Sequence, residues 1–168
     1  KFKKKKKKKM IQAFGGCNSD PDAWDVYNDL LAYGTGPCVL IQNLSTFETV
    51  SFMPLNYGII TCVRFDSTGM LIIGTCQGNL FLLDPITSKV SSVLVYDSSI
   101  THCSIYNNDI LISTAIHGIR YLVRDHDDPN EGLRQEMVLF PELRCVSLAL
   151  TRFHDVLIFG IGHPDGTV

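Results

Sequence analysis

The 168-residue chain has a single tryptophan, no Cys-x-x-Cys pair among its six cysteines, and no apolar run approaching the length of a membrane span. The missing long run predicts a soluble chain. Cys17, Cys38, Cys62, Cys76, Cys103 and Cys145 are scattered, a spacing that fits neither a zinc site nor a compact disulfide framework. Several fall within apolar strands, where a free thiol serves as a small core residue. With no secretory signal visible, a reducing compartment is expected. Catalytic patterns are missing as well: there is no Gly-x-Gly-x-x-Gly after a strand, no Gly-Lys-Ser/Thr phosphate loop and no Gly-x-Ser-x-Gly elbow. The five histidines, His102, His117, His126, His154 and His163, show no metal-ligand spacing. No catalytic, cofactor-binding or metal-ligating residue is nominated, and an enzyme is not expected.

Basic charge is scarce outside one tract. Eight of the fifteen Lys and Arg residues lie in Lys1 to Lys9, leaving seven against seventeen acids, a net charge of −10 for the rest. That acidic remainder argues against a grip on a phosphate backbone. The lysine tract cannot bury anything and reads, over residues 1–10, as a disordered arm or leader, with Met10 as the natural start. As a native tail it would be a localisation signal or a weak nucleic-acid contact. The 45% hydrophobic composition of the whole sequence is that of a globular chain with a sizeable core.

What the sequence does contain is a pair of apolar runs, Leu71 to Thr75 and Asn79 to Leu83, flanking Gln77-Gly78. They predict a β-hairpin covered on both faces, with Gly78 supplying the positive φ of a two-residue turn. Such a hairpin needs neighbours, and the sequence repeats to provide them. Ile60-Thr61 recurs as Ile100-Thr101, Leu71-Ile72 as Leu111-Ile112 and Gly78 as Gly118, all forty residues on. Leu31-Ala32-Tyr33-Gly34 precedes Leu71-Ile72-Ile73-Gly74 by the same step, and Leu157-Ile158-Phe159-Gly160 follows the series after forty-six. Strand-turn-strand units at this period predict an all-β fold, part of a WD40-type β-propeller of about three to four blades.

In chain order, Ala23 to Val26 reads as the first strand, with Trp24 packing between strands. Leu30 to Gly34, Val39 to Gln42 and Phe47 to Met53 complete the first blade. The second runs from Ile60 to Val95 and the third begins at Ile100. The extra residues of the third fall in Arg124 to Leu133, where Asp125, His126, Asp127, Asp128 and Glu131 surround Pro129. That cluster raises a metal hypothesis, but a polar loop between strands has the same composition. A fourth blade opens with Leu143 to Leu150. Three and a half blades do not close a ring, so residues 11–168 are expected to be the amino-terminal part of a propeller in a longer protein.

The opening blade resembles one family. Gly16-Cys17-Asn18-Ser19-Asp20-Pro21-Asp22-Ala23-Trp24-Asp25, then Leu30-Leu31-Ala32-Tyr33-Gly34 and Val39-Leu40-Ile41, is similar to the amino terminus of the second subunit of Elongator. The likeness covers about thirty residues; the rest agrees as WD-like repeats, with Leu83-Asp84 standing where Trp-Asp is usual. The resemblance implies a non-catalytic scaffold of two seven-bladed propellers, bound to the large and the catalytic subunits of a complex that modifies wobble uridine in tRNA. It implies only indirect tRNA contact, no membrane, and a cytoplasmic location, with the nucleus as a second site. The alternative is a generic WD40 adaptor of another multiprotein complex.

Overall fold

The computed structural model describes residues 18–124 and 132–168, so the Asp125 to Glu131 cluster and the lysine tract lie outside the described residues. Fourteen β-strands follow one another in it, and no helix among the described residues is long and apolar enough to cross a membrane.

The strands form successive antiparallel meanders. Unit one is β1 (Trp24–Tyr27), β2 (Leu30–Thr35), β3 (Cys38–Asn43) and β4 (Thr49–Pro54). Unit two is β5 (Ile60–Phe65), β6 (Leu71–Thr75), β7 (Asn79–Leu83) and β8 (Val90–Val95). Unit three is β9 (Ile100–Tyr106), β10 (Asp109–Thr114), β11 (Gly118–Arg124) and β12 (Leu133–Phe140). Unit four is the pair β13 (Ser147–Phe153) and β14 (Val156–Gly162), so its first strand starts later than Leu143. Leu143 to Val146 instead belong to the connection from unit three.

The units stack through their faces. Every residue of β6 and β7 is buried, as the two continuously apolar runs predict. One face of unit two, with Val63, Ile73 and Phe81, meets Ala32, Val39 and Ile41 of unit one. Its other face, with Cys62, Ile72 and Leu80, meets Ile100, Cys103 and Ile112 of unit three. Unit three turns Leu111 and Ile119 to Leu148, Leu150 and Phe159 of unit four. The first strands lie side by side, β1 against β5, β5 against β9 and β9 against β13, whereas the fourth strands β8 and β12 touch only marginally. The sheets therefore fan outward from their first strands.

Three sequence readings are corrected. The β6–β7 connection has three residues, Cys76 to Gly78, rather than two. Gly74 pairs with Leu80, Gly78 N–H donates to the Thr75 carbonyl at 3.1 Å, and Gly78 holds φ 83°. This is a one-turn loop closed by a left-handed residue. Second, the strict forty-residue step holds for Ile60 and Ile100, but the hairpins correspond at thirty-nine. Gly74 pairs with Leu80 and Ser113 with Ile119, so Gly118 occupies the place of Asn79. The slip arises before β10: Phe65 pairs with Leu71 across five residues, Ile105 with Ile110 across four. Third, Trp24 is 51% exposed and lies on the outer face of unit one.

Candidate interaction site

The recurring Ile-Thr pair shows how one unit is seated on the next. Thr61 occupies an irregularity between Ile60 and Cys62, where the β5–β6 register shifts, and Thr101 does the same in β9. Such a bulge re-aims the neighbouring side chain. Ile60 and Ile100 are thereby placed over glycines of the preceding unit. A Cβ on Gly34 would lie 2.7 Å from Ile60 Cβ, and one on Gly74 would lie 2.7 Å from Ile100 Cγ2 and 2.5 Å from Cys62 Sγ. Glycine is needed at both places because a neighbouring strand fills the volume of a side chain. Thr61 Oγ1 closes the second seam by donating to the Ile100 carbonyl at 2.5 Å.

Polar groups stitch the same seams. Asn18 reaches across the first one, donating to the Ile60 carbonyl at 2.8 Å and accepting from Gly36 N–H at 2.7 Å. Asp25 accepts from Phe65 N–H at 2.8 Å, and Asp22 forms an ion pair with Arg64. His102 Nε2 stands 3.9 Å from the second oxygen of Asp22, bringing units one, two and three together at their inner strands. Across the second seam Arg124 pairs with Asp66, both nearly sealed from solvent, and donates to Thr68 Oγ1 at 2.9 Å. Across the third, Arg152 donates to Asp109 at 2.9 Å while Tyr121 O–H donates to the other oxygen at 2.5 Å. All these side chains are held by partners, and their arrangement locks neighbouring sheets in register.

Of the five histidines, His117 pairs with Asp97 at 3.0 Å and His163 with Asp165 at 3.0 Å. Asp165 is held at about 2, chiefly by the Thr167 N–H, and then by the Thr167 hydroxyl and His163. Five cysteines are described and all are free thiols. Burial pushes Cys62 up to about 12 and Cys103 well above the ordinary thiol range. No group of three or more His, Cys, Asp or Glu residues able to hold a metal occurs among the described residues.

Apolar side chains left in solvent define the remaining surfaces. Linkers between units and the turns joining second to third strands share one end of the stack, tied by Cys76 N–H to the Ile59 carbonyl at 2.9 Å and Ala115 N–H to the Ser99 carbonyl at 2.8 Å. That end exposes Tyr57, Ile59, Ile116 and Val146, with Tyr57 leaning on buried Phe81 at a ring separation of 5.3 Å. Sequence reading missed this set of exposed residues. Only the repeat geometry, which sends linkers and those turns to one end, places the four at that end.

No protein-family model matches the chain, and no curated protein matches it. Solved structures do match in fold. The computationally designed Ika4 protein superposes with a TM-score of 0.67 at 16% identity, over 96% of each chain. The computationally designed Ika8 protein gives 0.64 at 16% identity, over 87% of this chain and 43% of that one. A chain of the mitotic checkpoint complex gives 0.59 at 16% identity, over 89% of this chain and 50% of the other. The chain thus spans about half the length of two of the three. The class defined is an all-β, β-propeller-like stack of antiparallel meanders.

Proposed function

We propose that the chain is a WD40-type propeller segment that works as a non-catalytic scaffold, presenting surfaces to other proteins. The observation carrying this reading is the Gly34–Ile60 and Gly74–Ile100 seating. It makes the first two junctions close-packed contacts, in a stack that exposes apolar residues at its linker end. Exposed apolar groups on a rigid frame suit protein docking. The resemblance of residues 16–41 to the opening of the second Elongator subunit names the assembly: an Elongator-like complex, with tRNA contacted only through the other subunits. The test is co-expression with the large and catalytic Elongator subunits. Co-purification that is lost in Ile59→Asp with Ile116→Asp supports the reading, and a folded chain that captures neither subunit overturns the Elongator assignment. In that event the generic adaptor remains, since the exposed linker end is independent of the Elongator resemblance.

A further inference from the structure

The fourth strands form the outer edges of the units, and those edges are protected unequally. β4 ends in Pro54, and β12 carries Arg134 and Glu136. Both devices discourage pairing with a further strand. β8 has neither: Val90-Ser91-Ser92-Val93-Leu94-Val95-Tyr96 contains no charge and no proline. It is the outer strand of a complete sheet, ordered β5-β6-β7-β8, with complete four-stranded sheets on both sides.

One face of β8 is taken, since Leu94 and Tyr96 pack on the core of the second seam. The other face is not covered in the same way. Val90 and Val93 pair with Leu83 and Phe81 of the first-seam core, yet Val90, Val93 and Val95 are 40%, 45% and 70% exposed. The sheets have fanned apart there, and exposed Tyr57 leans on Phe81. An uncharged strand edge thus runs beside a strip of valines.

The flanking charges identify the occupant. Lys89 precedes β8 and Asp97 follows it, each four residues from Val93. Antiparallel pairing of β8 with its own copy about Val93 sets Lys89 of each chain opposite Asp97 of the other. The Asp97 side chain is 75% exposed, and its pair with His117 engages Oδ1. We infer that β8 is a homodimerisation edge, where two copies pair their β8 strands across a two-fold axis at Val93 and merge two sheets into one. Such a contact is isologous and closes on itself. Main-chain hydrogen bonds supply the affinity, and the rim charges set direction and register more than strength. The inference rests on the strand order of unit two and is independent of the Elongator resemblance.

The test is light scattering with size-exclusion chromatography on the full chain, reduced and nuclease-treated, at tens of micromolar. The wild type is expected at twice the chain mass. Val93→Lys and Val93→Asp, both at an exposed position, each set like charges on the axis and are expected as monomers. An equimolar mixture of the two is expected to regain the doubled mass, because opposite charges then meet there. Lys89→Glu should weaken the dimer several-fold at low salt, and adding Asp97→Lys to the same chain should reverse the loss. A monomeric wild type, a mixture that stays monomeric, or masses extending beyond the pair would overturn the inference. Amide exchange at high and low concentration separates the kinds of failure. A folded monomer, with β6 and β7 protected, leaves the edge to a strand of another protein and defeats the self-pairing. A dimer in which the β8 amides gain no protection is joined elsewhere and defeats it too, whereas unprotected β6 and β7 would defeat the stacked-meander fold itself.

Discussion

Asp66 and Arg124, fifty-eight residues apart, form an ion pair in the seam between units two and three, with 3% and 4% of their surfaces exposed. Asp66 opens the β5–β6 turn and accepts from Thr68 N–H at 2.8 Å and Met70 N–H at 2.9 Å, while Arg124 ends β11. The carboxylate therefore shapes a local turn with one oxygen and anchors the next sheet with the other.

Removing one partner strands a buried charge, a loss of about 3–5 kcal/mol. Arg124→Met and Asp66→Asn should each lower the urea midpoint accordingly. The double variant should recover much of the loss, since neither side chain is then left as a buried unpaired charge. Equal losses that simply add would show that the two side chains do not interact.

The seating glycines predict a graded series. Gly74→Ala pushes a methyl into Cys62 and Ile100 and should cost about 1–3 kcal/mol by overpacking. Trimming Ile100 to Ala in that background should return part of it. Gly160→Ala, where an added Cβ meets nothing within 4 Å, should change stability by less than about 0.5 kcal/mol. Gly78→Ala should be severe, because φ is 83° and the Cβ would come within 2.2 Å of the Tyr96 carbonyl.

Much of this was legible in the residues and some was not. The buried hairpin at Leu71 to Leu83 followed from its unbroken apolar runs, and the repeat followed from the recurring Ile-Thr and Leu-x-x-Gly words. Turn length did not follow, because Gly78 suits a two-residue and a three-residue loop equally well. Trp24 was misplaced because a large aromatic reads as core wherever it stands. Which face of a sheet is covered depends on its neighbours rather than on the strand itself. Asp66 stands in a turn and Arg124 at a strand end. Nothing local marks a charge whose partner comes from the next repeat, although Asp66-Ser67-Thr68-Gly69 does announce the turn.

The thiols give a pH dependence with a definite sign. Burial raises Cys62 to about 12, so between the ordinary thiol range and that value the unfolded chain loses a proton that the folded chain keeps. The stability attached to Cys62 is fully present below about pH 9 and falls as pH rises toward 12, by roughly 1.4 kcal/mol per unit. Cys103 adds to the same loss. Thermal midpoints should drop more steeply above pH 9 in the wild type than in a Cys62→Ala, Cys103→Ala variant. Parallel slopes would contradict the buried placement.

Exposure also orders the reactivity of the thiols. Cys76 is exposed, whereas Cys62 and Cys103 are buried and held protonated, and the thiolate is the reacting form. Native alkylation followed by peptide mapping should modify Cys76 ahead of Cys62 and Cys103, which stay protected until the chain unfolds. Early labelling of Cys103 would mean that the second seam opens in the native state.

The seating of one meander's isoleucine on the preceding meander's glycine is tested most directly by nuclear Overhauser contacts in a methyl-labelled sample. The structure predicts strong cross-peaks from the Gly74 α-protons to the Ile100 γ2 methyl and from the Gly34 α-protons to the Ile60 γ2 methyl. Their absence, with both methyl groups accessible to a soluble paramagnetic probe, would contradict it.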